Sequence, residues 1–127
     1  MTVPALRRLK ARYPGAAVVA YDNSTAEVKA ESDVCCTSAN AVQVVDSIPR
    51  DRTILFVPDR NLARYAAEKS GRPYVVAGQE TGEPEPGCIV AWDGYCYVHD
   101  DLVMEELAAA KAKHPRALVV IHPEARA

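Results

Sequence analysis

The sequence is poor in the features that mark disulfide-rich and membrane proteins. Cysteine occurs four times in 127 residues, and two of the four, Cys35 and Cys36, are neighbours that could pair only under strain. The longest wholly apolar stretches, such as residues 16–21, are far shorter than the roughly 20 residues of a membrane helix. No signal-like segment opens the chain. We therefore expect a cytoplasmic protein whose cysteines are reduced thiols or metal ligands.

The chain also lacks an excess of either charge. Fifteen Lys and Arg residues face seventeen Asp and Glu residues, which leaves a net charge of −2. This balance argues against nucleic acid or a membrane surface as a partner, and favours a small molecule or another protein. Hydrophobic residues make up 49% of the sequence, which is enough for one folded domain and excludes a disordered or collagen-like chain.

Helical patterns alternate with short, fully apolar runs. We expect strands over 16–21, 34–36, 53–57, 74–77, 88–92 and 118–121. We expect helices over 4–13, from the cap Ser38 to Pro49, over 60–70 after the cap Asp59, and from Asp100 or Asp101 to Lys113. This alternation predicts an α/β fold, a three-layer αβα sandwich around a mostly parallel sheet of four to five strands. The acidic Pro/Gly loop 78–87 has no evident reason to be ordered.

An internal repeat links the two ends of the chain. Residues 6–23 align without gaps on residues 107–124, and seven pairs are identical. Either two helix-Pro-strand units have converged on the same residues, or a unit has been duplicated. We expect one αβα domain over residues 1–100. Residues 101–127 would form the helix and strand that begin a following unit, and that strand would complete the same sheet or be exchanged with a neighbouring copy.

Polar side chains follow almost every expected strand, where ligands of parallel sheets bind. They lie at 21–25, 37–40, 58–60, 93–99 and 122–124. Tyr, Asn, Ser, His and Glu at one edge would offer hydrogen bonds to a carboxylate or carbonyl substrate and a pair for proton transfer. Asn23 and Ser38 can also be read as ordinary turn and cap residues. The spacing of Cys88, Cys96 and His99 leaves a zinc site open as another, weakly supported hypothesis.

Five segments carry a resemblance to a known family. They are 21–25 (Tyr-Asp-Asn-Ser-Thr), 36–42 (Cys-Thr-Ser-Ala-Asn-Ala-Val), 58–62 (Pro-Asp-Arg-Asn-Leu) with 68–71 (Glu-Lys-Ser-Gly), 94–99 (Gly-Tyr-Cys-Tyr-Val-His) and 122–124 (His-Pro-Glu). In order and approximate spacing they resemble quinolinate synthase, the iron–sulfur enzyme of NAD biosynthesis, from about residue 4 to 124. The match falls on the family's middle domain and the start of its third.

The resemblance implies three similar αβα domains around one site, with a [4Fe–4S] cluster held by one cysteine from each. It also implies a reaction that condenses iminoaspartate with dihydroxyacetone phosphate to quinolinate. It assigns Cys96 as the cluster ligand and Tyr21, His122 and Glu124 as catalytic residues. The same three catalytic residues, together with Asn23 and Ser38, would also bind the substrate.

The chain departs from the family pattern in three respects. Asp22 stands where an apolar residue is usual, residues 78–86 look like an insertion, and the first domain and most of the third are missing. One thiolate cannot hold a [4Fe–4S] cluster, so we expect the isolated chain to be inactive and to bind no cluster unless the missing domains or another chain join it. The alternative is a non-catalytic αβα module that binds a small carboxylate or phosphate, or serves in assembly.

Overall fold

Eleven helices and strands make up the part of the chain that the computed structural model describes, residues 1–125. In order they are α1 (Val3–Arg12), β1 (Ala17–Tyr21), α2 (Ala26–Ala30), β2 (Val34–Cys36), α3 (Ala41–Asp46), β3 (Ile54–Val57), α4 (Arg60–Ser70), β4 (Tyr74–Val76), β5 (Ile89–Ala91), α5 (Tyr97–Asp100) and α6 (Met104–Lys113). The five strands form one parallel sheet in the order β2-β1-β3-β5-β4.

Helices cover both faces of this sheet, because the central strands are apolar on both sides. Phe56 of β3 packs with α3 and α4, whereas its neighbour Leu55 packs with α1 and α2. All of β1, β3 and β5 is buried. The predicted three-layer αβα sandwich is confirmed, with five strands and every pair parallel.

Two predicted helix starts had different outcomes. Asp59 caps α4, since its Oδ1 accepts from Leu62 N at 2.8 Å, and α4 ends at Gly71 with a φ of 66°. Ser38 is not a cap: Asn40 holds that position before α3, without a side-chain hydrogen bond to the helix. The prediction of Ser38 as a cap is wrong, and its hydroxyl is instead turned toward the C-terminal segment.

A buried arginine ties together the edge of the sheet opposite the predicted site. Arg72 is 6% exposed, and its guanidinium donates to backbone carbonyls that follow α3 and precede β5. Its acceptors are Val45, Ile48, Pro49, Arg52 and Gly87. The planar, five-donor head of arginine serves such a set of carbonyls, which a lysine could not.

The acidic loop 78–87 is anchored to α1, contrary to the expectation that nothing orders it. The Glu80 side chain is 3% exposed. It accepts from Arg12 Nη2 at 3.0 Å, from Gly78 N at 2.8 Å and from the Tyr13 hydroxyl. The loop composition gave no sign of this because the partners lie about 67 residues earlier in the chain.

The segment after the sheet differs most from its prediction. Instead of one helix beginning at Asp100 or Asp101, there are two, α5 and α6, separated by residues 101–103. Residues 118–121 form no strand, and Leu118 is 92% exposed. The prediction that this strand completes the sheet is wrong, because the described ladder ends at β2 and β4 and the segment pairs with neither. We call residues 102–121 the arm.

The two copies of the repeat share a helix that ends before a proline, but only the first copy continues into a strand and packs in the core. The residue before each proline has nearly the same backbone, Tyr13 at φ −126°, ψ 72° and His114 at φ −128°, ψ 66°. Both residues lie outside the α-helical region, which a following proline disfavours, and each helix ends there. Leu6 of α1 is fully buried against the sheet, whereas its counterpart Leu107 on α6 is half-exposed. Within residues 1–125, none of the helices has both the length and the apolar character to cross a bilayer.

Candidate active site

Side chains from distant parts of the chain meet at the carboxyl edge of the sheet. Tyr21 ends β1, Ser38 follows β2, and His122 and Glu124 lie in the irregular segment after the arm. The Tyr21 hydroxyl donates to Glu124 Oε2 at 3.3 Å, and His122 Nε2 lies 3.2 Å from Ser38 Oγ. Four of the predicted site residues are therefore neighbours.

His99 joins these four residues; the sequence placed it at this edge of the sheet within 93–99, but gave it a role only as a zinc candidate with Cys88 and Cys96. Its ring stacks on that of His122 with 4.3 Å between centroids and 11° between planes. Its Nδ1 lies 3.2 Å from Glu124 Oε2. The sequence feature that pointed to His99 was its spacing of three residues from Cys96. This spacing sets His99 one helical turn after Cys96, and the His99 N–H donates to the Cys96 carbonyl at 3.1 Å. We call the five side chains of Tyr21, Ser38, His99, His122 and Glu124 the rim group.

The hydrogen bonds of His122 favour one neutral tautomer. Its Nδ1 accepts from the backbone N–H of Glu124 at 3.3 Å, so the proton belongs on Nε2, facing the Ser38 hydroxyl. Burial, and next the neighbouring His99, lower the pKa of His122, which also favours the neutral ring. Because Nδ1 lies only 3.2 Å from Glu124 Oε2, two acceptor atoms face each other there.

Glu124 is set up to hold a proton. The residue is 2% exposed, and its Oε1 has no hydrogen-bond partner within residues 1–125. Burial raises the pKa of Glu124, and the charge of Asp59 raises it further. The pKa of Tyr21 is also raised, first by burial and then by the charge of Glu124. A carboxyl group that is readily protonated, next to a phenol that resists ionisation, is a suitable pair for proton transfer.

Asp59 and Asn61, in the segment Pro-Asp-Arg-Asn, hold the surrounding loops in place. While Asp59 Oδ1 caps α4, its Oδ2 accepts from Cys96 N at 2.9 Å. Asn61 Nδ2 donates to Asp100 Oδ1 and to the Glu124 carbonyl, both at 3.0 Å. These two side chains thus connect the start of α4 to α5 and to the C-terminal segment. Sequence reasoning found the cap but not these tethers, which depend on tertiary contacts.

Asn23 and Cys96 line a cleft of about 330 Å³ together with Asp59, Trp92 and Tyr95. Asn23 is exposed and Cys96 half-buried. The structure therefore places these two predicted residues together, and the shared neighbour Asp59 links them to Glu124.

Cys96 is the one cysteine placed to serve a ligand in this cleft. Cys36 is buried in the edge strand β2, where burial raises the pKa of its thiol to about 12. Cys35 lies on the same strand, three strand spacings (about 14 Å) from β5. Cys96 is thus the thiol of this chain that lies closest to a ligand bound in the cleft.

The zinc hypothesis based on Cys88, Cys96 and His99 is wrong. Cys88 precedes β5 and is buried, whereas Cys96 and His99 follow the opposite end of that strand. Although only eight residues separate Cys88 from Cys96 in the sequence, β5 places them at opposite ends of a strand. Within residues 1–125, the His, Cys, Asp and Glu ligand atoms that do converge belong to His99, His122 and Glu124.

Comparison with known proteins gives a consistent result. The family model described as "Quinolinate synthetase A protein" matches residues 1–127. The quinolinate synthase of Desulforudis audaxviator is 52% identical over 124 residues, which is 98% of this chain and 36% of that protein. Those of Methanoregula boonei and Geobacter metallireducens are each 48% identical, over 99% and 98% of this chain and 36% of theirs. The chain spans about a third of the length of these relatives.

Proposed function

Because the chain belongs to the quinolinate synthetase A family, we propose that it supplies the central third of a quinolinate-forming active site. The substrates would be iminoaspartate and dihydroxyacetone phosphate, and the setting a reducing cytoplasm, in which free thiols persist. The observation that carries this proposal is the contact of Tyr21, Ser38, His122 and Glu124 across sequence separations of 84 and 103 residues. Both substrates are small and rich in oxygen, and such groups suit a rim of hydroxyl, imidazole and carboxyl side chains.

The residues of this chain would bind substrate and move protons. The Glu124 carboxyl group, buried and with a raised pKa, would give a proton to a leaving hydroxyl or take one from carbon. Tyr21, within 3.3 Å of it, would orient the substrate and pass the proton on. Ser38 and the amide of Asn23 would donate hydrogen bonds to anionic oxygens. His122, neutral near pH 7, would serve as a second base.

Cys96 would be this chain's ligand to the [4Fe–4S] cluster, and two further thiolates would come from parts of the longer family members or from another chain. When bound, such a cluster supplies an open iron that acts as a Lewis acid toward a substrate oxygen. Asp59 prepares the ligand position by accepting from the Cys96 N–H at 2.9 Å. The chain alone would bind no complete cluster and form no quinolinate.

A chimera tests the proposal directly. The matched stretch of the Desulforudis audaxviator enzyme would be replaced by this chain, reconstituted anaerobically with iron and sulfide, and assayed for quinolinate. We expect activity and cluster absorbance in the chimera and neither in the isolated chain. Glu124→Gln should lower turnover about 10²–10⁴-fold while the cluster absorbance remains, since it removes a proton-transfer group.

Two matched variants complete the test. Cys96→Ser should remove the cluster absorbance, whereas His114→Gln, on the exposed arm, should change neither the cluster nor the rate. Full activity of Glu124→Gln in a cluster-loaded chimera would contradict the proposed role of the rim group. A folded chimera with neither cluster absorbance nor activity, together with an isolated chain that binds a dicarboxylate or phosphate, would favour the non-catalytic module.

A further inference from the structure

The rim group contains three ligand atoms that face one another at hydrogen-bonding distance. His99 Nδ1 and His122 Nδ1 each lie 3.2 Å from Glu124 Oε2. The Nδ1 of His122 already accepts from a backbone N–H, so it carries a lone pair toward the carboxylate. The buried Nδ1 of His99 has no hydrogen-bond partner within residues 1–125. A positive species between these atoms, either a proton or a metal ion, would relieve the contact.

The two imidazole-to-carboxylate distances suit a first-row divalent cation. The ligand atoms of His99, His122 and Glu124 all lie within 4.8 Å of one another. Two tetrahedral ligands at about 2.0–2.2 Å from a zinc ion are about 3.3–3.5 Å apart, close to the 3.2 Å separations here. Two imidazoles and one carboxylate are a donor set that binds zinc and iron(II) and leaves further positions open.

The surroundings of the three atoms also favour a cation. Glu124 is 2% exposed with an unpartnered Oε1, and the buried Asp59 adds a second negative charge nearby. Ser38 accepts from the other ring nitrogen of His122, and this type of outer contact fixes the ligating tautomer in metal sites. The stacked rings must open so that an ion can lie in the plane of both. Their side chains are 31% and 34% exposed, which leaves room for rotation.

From this geometry we propose that His99, His122 and Glu124 form a binding site for one divalent transition-metal ion, with Zn²⁺ as the representative. This site is distinct from the iron–sulfur ligand Cys96 and does not depend on the proposed reaction. A bound ion would occupy the lone pairs of the same side chains that move protons in the proposed mechanism. Metal binding and catalysis would therefore exclude each other at this rim.

Zinc titration of the isolated chain tests the site. Accessible thiols would be removed first by the double variant Cys35→Ser and Cys96→Ser, since Cys36 and Cys88 are buried. Calorimetry on this protein should show one Zn²⁺ per chain. His99→Gln, His122→Gln and Glu124→Gln should each weaken binding by about 100-fold or more, because each removes a direct ligand. His114→Gln should bind as its parent does.

The outcomes separate a metal from a proton. Cobalt(II) substitution should give the visible spectrum of nitrogen and oxygen ligation, and imidazole NMR should show both rings shifted on binding. Circular dichroism checks that the glutamine variants fold; their changes lie outside the sheet. The proposal would be overturned if Zn²⁺ did not bind stoichiometrically, or if all three ligand variants bound it as tightly as the parent does. A proton would then lie between the atoms. Neither result bears on quinolinate formation in the chimera, which is measured separately.

Discussion

Replacing Asp59 tests whether one carboxylate holds both the start of α4 and the loop that carries Cys96. Its two oxygens accept from Leu62 N at 2.8 Å and Cys96 N at 2.9 Å, and the residue is 2% exposed, so water cannot replace either bond. Asparagine keeps a single acceptor oxygen and can serve only one of these N–H groups. Asparagine caps helices as well as aspartate does, so we expect the cap to survive and the Cys96 contact to fail.

The size of the effect follows from these two bonds. Losing a hydrogen bond to a charged, buried acceptor costs about 1.5–3 kcal/mol, which is the destabilisation we expect for Asp59→Asn. Asp59→Ala also loses the cap, at about 1 kcal/mol more. Urea unfolding followed by circular dichroism measures both free energies, with exposed Asp51→Asn as a control that should stay within about 0.5 kcal/mol of the parent.

Amide hydrogen exchange locates the damage. In Asp59→Asn the Cys96 amide should lose protection while the Leu62 amide keeps it, and in Asp59→Ala both should lose it. The pKa of Glu124, measured by NMR, should fall toward its ordinary value in Asp59→Asn, because the neighbouring charge that raises it is gone. If both amides stay protected in both variants, Asp59 does not hold the loop and the reasoning fails.

Two further predictions concern the stability of the fold. Arg72→Met should lower the free energy of unfolding by about 3–5 kcal/mol, because buried carbonyls lose their shared donor. Arg72→Lys should recover only part of this loss, and Arg8→Met, at an exposed position of α1, should cost little. A loss below about 1 kcal/mol in Arg72→Met would refute the role given to Arg72. Glu80→Gln should cost about 1–2 kcal/mol at pH 7. Burial alone would raise the pKa of Glu80, but the hydrogen bonds of Tyr13 and the backbone lower it below 4.5. The difference from the parent should therefore persist above pH 4.5 and vanish as the pH falls through the folded pKa; a difference independent of pH would contradict the proposed anchor.

The sheet could be predicted from sequence because its signals are local and redundant. Residues 53–57 are continuously apolar and lie next to the cap Asp59, and the structure places β3 and α4 there. Residues 118–121 carry the same kind of apolar run yet form no strand. A strand needs a neighbour to accept its hydrogen bonds, and no sequence window reports whether that neighbour exists. Helix α6 formed inside the predicted helical range, although it begins at Met104, because its hydrogen bonds are internal.

The candidate site was predictable in its members but not in its arrangement. Tyr21, Ser38, His122 and Glu124 could be selected because they follow strand-like runs and match family segments. His99 meets the same two criteria, but its sequence spacing associated it with Cys96 and not with Glu124, and nothing local indicates that the second oxygen of Asp59 accepts from Cys96 N. The two readings of Ser38, as cap or as site residue, are separated only by the position of a histidine 84 residues away.

The exposed arm has a consequence for how rigidly the site is organised. Tyr21 and Ser38 extend directly from strands and share the stiffness of the core, whereas His122 and Glu124 are carried on a tether of about 20 mostly exposed residues. Proton transfer depends on positions held to fractions of an ångström, so the packing of the arm affects the fraction of time for which the geometry is productive. A surface packed against the arm would raise that fraction through entropy alone, without contacting a single reacting atom.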